Sequence, residues 1–197
     1  MIETISHKIL NFIMAYSDIN KDMSDIYEYG IEITISSVLN FALIFIASAA
    51  MGDCLSGLVF LVTFILLRSY CGGYHADTYI KCNTVFVSTY ILTILISRAS
   101  ISYVNFNLSA WGLLLLVSLV PILLYSPVKN IHKLLSEAQC RSCRLISIVV
   151  YFALSFIALF LIAIRNNYGC IIIITLAAVS VMILIEIYKK RREKHAD

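Results

Sequence analysis

Six apolar runs, Ile31 to Met51, Leu55 to Leu67, Thr84 to Ile96, Ala110 to Tyr125, Leu145 to Ile164 and Cys170 to Ile187, leave this chain few folds to choose from. A helix crossing a hydrocarbon core about 30 Å thick needs roughly 17 to 25 apolar residues, and the charge here lies almost wholly between such runs. With 60% hydrophobic and 14% charged residues and a mean hydropathy of +0.89, the chain cannot clothe a water-facing surface. The expectation is an all-α, polytopic membrane helix bundle of about six transmembrane helices. The second and third runs are short for a span and have to lengthen into their flanks, or else form a re-entrant pair.

Orientation follows from charge. Of the 15 lysines and arginines, only Arg98 and Arg165 fall on one side; the rest lie in 1–30, 68–83, 126–144 and after 187. The positive-inside rule then puts both termini in the cytoplasm. Gly52, Asp53 and Cys54 read as one tight hairpin and Asn166, Asn167 and Gly169 as another, so the flanking helices pair antiparallel. No repeat or linker divides the chain, so 1–197 reads as one membrane-embedded domain, with an N-terminal segment 1–30 and a basic tail 188–197. Charges through the first 30 residues argue against a cleavable signal. Ile2, Ile5, Ile9, Phe12, Ile13 and Tyr16 form an amphipathic stripe, which suits a helix lying on the cytoplasmic leaflet and equally one packing on the bundle.

Several classes lose support. The net charge of +3 comes from residues flanking the membrane, not from a basic face, so no nucleic-acid partner is expected. The scattered cysteines do not resemble a disulfide framework, and the single CxxC of Cys140 and Cys143 lacks the second ligand pair of a zinc site, so neither metal nor cofactor is expected.

The chemistry concentrates in Arg68-Ser-Tyr-Cys-Gly-Gly-Tyr-His75-Ala-Asp77-Thr-Tyr-Ile-Lys-Cys82, between the second and third runs. A cysteine attacks as its thiolate, a minor species at neutral pH, so an imidazole nearby has a proton to take. His75 and Cys82 are seven residues apart, which puts them on one face of a continuous helix starting near His75, about 10 Å apart along the axis. Gly72 and Gly73 break the preceding helix and offer backbone N–H groups to an oxyanion, or simply end that helix. Arg68 suits a substrate carboxylate or developing negative charge, or a plain membrane-flank anchor. Asp77 is a candidate to orient His75 or touch substrate, and Cys71 is a rival nucleophile.

Arg68, Gly73, His75 and Cys82 within a six-span chain of this length resemble the accessory gene regulator B (AgrB) family of membrane cysteine endopeptidases, with the Ser126-Pro127-Val128 turn and the basic loop after it similar to the family's. The resemblance implies a multi-pass protein of the bacterial cytoplasmic membrane that processes an AgrD-like signal peptide precursor in quorum sensing, with a homodimer also expected. It implies that His75 is the base and Cys82 the nucleophile, that a thioester acyl-enzyme forms as the acidic tail leaves, and that an internal Cys or Ser of the peptide closes a thiolactone or lactone. Two other classes stand beside it: a small transporter, which no deeply placed charge supports, and a non-catalytic membrane scaffold, in which Cys82 would be replaceable.

Overall fold

The computed structural model of the chain describes residues 2–16, 24–74, 78–103, 107–128 and 136–194. These form seven α-helices and no strand: α1 (Ile2–Tyr16), α2 (Ser24–Ala50), α3 (Cys54–Cys71), α4 (Tyr79–Tyr103), α5 (Leu108–Tyr125), α6 (Glu137–Ala163) and α7 (Tyr168–Lys194). The helices α2 to α7 are all long and apolar enough to span a bilayer. The two short runs do lengthen: α3 extends from Cys54 to Cys71, and the apolar part of α4 from Tyr79 to Ser100. Two spans therefore replace the re-entrant alternative.

What faces outward identifies the solvent. Leu113, Leu116, Val117 and Leu124 on α5 and Val149, Phe152, Phe156 and Phe160 on α6 are exposed, while Ser118, Ser147, Tyr151 and Ser155 lie inside. In hydrocarbon every polar group needs a partner within the protein, so hydroxyls turn to the helix interfaces. The Ser118 and Tyr151 hydroxyls meet at 2.6 Å, Tyr151 donates to the Leu115 carbonyl at 2.7 Å, and Ser180 donates to the Ser118 carbonyl at 2.5 Å, tying α5, α6 and α7 together. The helix α7 is the hub: it packs against α3, α4, α5 and α6, and two-thirds of its span is buried. Contact with α6 is close enough that a Cβ at Gly169 would sit 2.6 Å from the Ala158 carbonyl oxygen.

Both hairpins form. Asp53 caps α3, accepting from the Ser56 N–H at 3.1 Å, and its own N–H reaches the Ser48 carbonyl. At the end of α6 the Asn166 N–H bonds back to the Leu161 carbonyl at 2.8 Å, with Arg165 left-handed at φ 57. Six crossings return the chain to its starting face. The end of α3, the starts of α4 and α6 and the last turns of α7 share that face with α1.

The N-terminal helix packs on α2. Its docked side carries Ser6 and Leu10, both buried, whereas Ile5, Ile9, Phe12 and Tyr16 are exposed. These four residues of the apolar stripe thus face away from the bundle. Ser6 and an exposed ion pair of His7 with Glu28 at 2.9 Å hold α1 to α2, the latter contributing little on its own.

Candidate active site at the membrane face

Antiparallel packing of α3 on α4 builds the site. The Ser56 and Tyr90 hydroxyls meet at 3.0 Å, the Phe60 ring packs on Phe86 and Tyr90, and Phe64 lies edge-on to Phe86 at 4.9 Å. Ser56 and Phe60 both meet Tyr90, and Phe60 and Phe64 both meet Phe86, so the two helices run antiparallel along this contact. One turn beyond it, Arg68 follows Phe64 and Cys82 precedes Phe86. Arg68 lies within electrostatic reach of Cys82 and Glu186.

Arg68 is not an outward-pointing flank anchor. Its guanidinium lies 5.4 Å from the centre of the Phe64 ring, donates to the Met182 sulfur at 3.4 Å and donates to the Tyr74 carbonyl. A planar fork of five donors can hold a turn and still face a neighbouring group. By gripping Tyr74, Arg68 fixes the residue that precedes His75 in the chain. Met182 and Glu186 are successive turns of α7 behind it; Glu186 is buried and pairs with Lys190 at 3.7 Å. The sequence places Glu186 at the end of the last run, and only packing reveals that it faces Arg68. Its one available signal is that it is the sole acid in that run.

The Gly72-Gly73 turn has tight requirements. Gly72 has φ 73, and a Cβ there would lie 2.9 Å from the Val128 carbonyl oxygen. Gly73 has φ 141, a backbone region side chains rarely adopt. The Val128 N–H donates to the Cys71 carbonyl at 2.9 Å, so the segment after α5 straps the turn in place. The Gly72 N–H donates to the Arg68 carbonyl at 3.0 Å, which corrects the expectation that both glycine amides are open to an oxyanion. Gly73 is the candidate that remains.

The two rival thiols differ in setting. Cys71 is fully buried, with the Ser147 and Ser126 hydroxyls against its sulfur. Cys82 is half-buried in the first turn of α4, where its N–H bonds to the Thr78 carbonyl at 3.0 Å. Cys140 and Cys143 are half-buried near the start of α6, and no cluster of three metal-ligating side chains occurs among the described residues. His75 and Asp77 lie outside the described residues. The expected helix from His75 through Cys82 lies partly outside the described residues; its described part begins at Tyr79, after a bend at Thr78.

A bundle of six apolar helices with hydroxyls inside and hydrocarbon side chains outside is a multi-pass membrane protein. The sequence model of accessory gene regulator B matches residues 6–185. The chain belongs to the accessory gene regulator B family and so has a part in quorum-sensing peptide processing, with a peptide precursor as substrate in a membrane setting. Neither a curated protein nor a solved structure matches it.

Proposed function

We propose that this chain, acting as one membrane domain in the bacterial cytoplasmic membrane, is a cysteine endopeptidase that cuts a signal peptide precursor at the C-terminal side of the future signal and promotes its cyclisation. The observation that carries this reading is the half-buried Cys82 in the first turn of α4 beside Arg68, against a fully enclosed Cys71.

His75 takes the thiol proton, and the Cys82 sulfur attacks the scissile carbonyl. The developing oxyanion is met by the Arg68 charge and the Gly73 amide, with the Gly72 turn keeping both in place. Asp77 orients His75 or contacts the peptide. Collapse of the tetrahedral species expels the tail amine, protonated by His75, and leaves a thioester on Cys82. An internal thiol or hydroxyl of the peptide then attacks that thioester, forming the ring bond and returning Cys82 as a thiol. Thioester to thiolactone exchange is nearly balanced in bond energy, so tethering and shelter from water suffice, and a site at the membrane face supplies both. The outward apolar stripe of α1 lies on the leaflet, where the peptide also binds, which brings enzyme and substrate together in two dimensions. We expect the working unit to be a homodimer.

Intact-mass spectrometry of the purified protein mixed with precursor tests the chemistry. The expected species is a hydroxylamine-labile adduct of the leader-signal fragment on wild type and on Cys71→Ala, absent from Cys82→Ala. An adduct that persists in Cys82→Ala would refute the assignment.

A further inference from the structure

Cys82 needs a fixed position, and one carboxylate of α2 bonds both to the first turn of α4 and to α1. Glu32 Oε2 accepts from the Tyr79 hydroxyl at 2.7 Å, and Glu32 Oε1 accepts from the Ser6 hydroxyl at 3.3 Å. Tyr79 opens α4, three residues before Cys82, and Ser6 is the fully buried residue by which α1 docks. A single side chain on α2 therefore joins the N-terminal helix to the helix carrying the thiol. One turn further into the bundle the pattern repeats: Ser36 Oγ and Asn40 Nδ2 donate to the buried Asn83 Oδ1 at 2.8 and 3.0 Å.

Glu32, Ser36 and Asn40 form one stripe along α2, facing Tyr79 and Asn83 one turn apart on α4. Among lipid tails, apolar contact alone gives two helices little preference for register, whereas hydrogen bonds fix both rotation and axial position.

We propose that Glu32 is a positioning residue that couples the seating of α1 to the placement of the Cys82 thiol; this rests on the reading of Cys82 as the nucleophile. Glu32 touches neither substrate nor the reacting atoms and acts through Tyr79. When α1 settles on the leaflet, the Ser6 bond completes the anchorage of α4, so that membrane engagement and site geometry are one event.

The test uses full-length protein in proteoliposomes with the peptide precursor, comparing wild type, Glu32→Ala, Glu32→Gln, Tyr79→Phe and the Glu32→Ala/Tyr79→Phe pair, with Cys82→Ala alongside. Loss of one positioning bond is expected to lower kcat about ten-fold in Glu32→Ala and Tyr79→Phe with little change in KM. The double variant is expected to be no worse than the single ones, because all three break the same link. Glu32→Gln keeps an acceptor for Tyr79 and offers an N–H to the Ser6 oxygen, so it is expected to recover most of the rate. Wild-type kcat in Tyr79→Phe, additive losses in the pair, or Glu32→Gln as impaired as Glu32→Ala would each overturn the proposal. Tyr79→Phe removes only a hydroxyl and carries the comparison if Glu32→Ala does not insert. Activity in Cys82→Ala would instead overturn the nucleophile assignment on which the proposal rests.

Discussion

Cys71 and Cys82 flank the same turn, yet packing gives them opposite prospects. The Cys71 sulfur is sealed behind the Ser126-Pro127-Val128 segment and Ser147 of α6, while Cys82 keeps a path to solvent at the head of α4. Cys71→Ala is therefore expected to leave peptide cleavage within about three-fold of wild type, the lost thiol being a small buried apolar group; a loss as deep as that of Cys82→Ala would mean the wrong sulfur has been assigned. At Gly72 the left-handed backbone and the Val128 carbonyl both oppose a side chain. Gly72→Ala is expected to cost about 1–2 kcal/mol of local stability and to release the turn, reducing cleavage without preventing insertion, as read by comparing membrane yield with product yield. Glycine as a residue type was legible here, because two in a row after an apolar run mark a helix end. That the Gly72 amide is spent on closing α3 was not legible, since a hydrogen-bond partner depends on a fold already made.

The elements were more readable than their meetings. Hydrophobic runs located all six spans, and the structure extends each where half-polar residues such as Ser69, Tyr70 and Tyr79 continue the helix past the apolar stretch. A helix beginning near His75 fits the spacing; its described part begins at Tyr79, and His75 itself lies outside the described residues. Arg68 within electrostatic reach of Cys82 had no signal in the linear sequence, because it depends on the packing of Phe60, Phe64, Phe86 and Tyr90 across two helices. The α1 stripe was visible, but which way it faced was not. With Ser6 and Leu10 docked and Phe12 exposed, a fluorophore on Phe12→Cys in a background without the native cysteines is expected to be quenched by lipid-borne quenchers, and one on Ser6→Cys is not. Equal quenching at both would mean α1 does not dock as described.

At the level of the whole molecule, buried hydroxyls within an apolar shell make this a bundle that only a bilayer can solvate. Charge placement gives it a direction. Cys54, exposed at the start of α3, lies at the face holding Arg98 and Arg165, and Cys140 and Cys143 lie at the opposite face. A membrane-impermeant thiol reagent applied to intact cells is expected to label a variant retaining only Cys54 and to miss variants retaining only Cys140 or Cys143 until the cells are lysed. The reverse pattern would put the Arg68 and Cys82 face outside the cell, away from a newly made precursor.

The most direct measurement is co-expression of the chain with its peptide precursor, followed by mass spectrometry of the cleaved leader-signal fragment for wild type, Cys82→Ala and His75→Ala. Cleavage by wild type alone, with both variants present in the membrane at comparable yield, is the expected result. Undiminished cleavage by Cys82→Ala would contradict the assignment of a cysteine peptidase built on the first turn of α4.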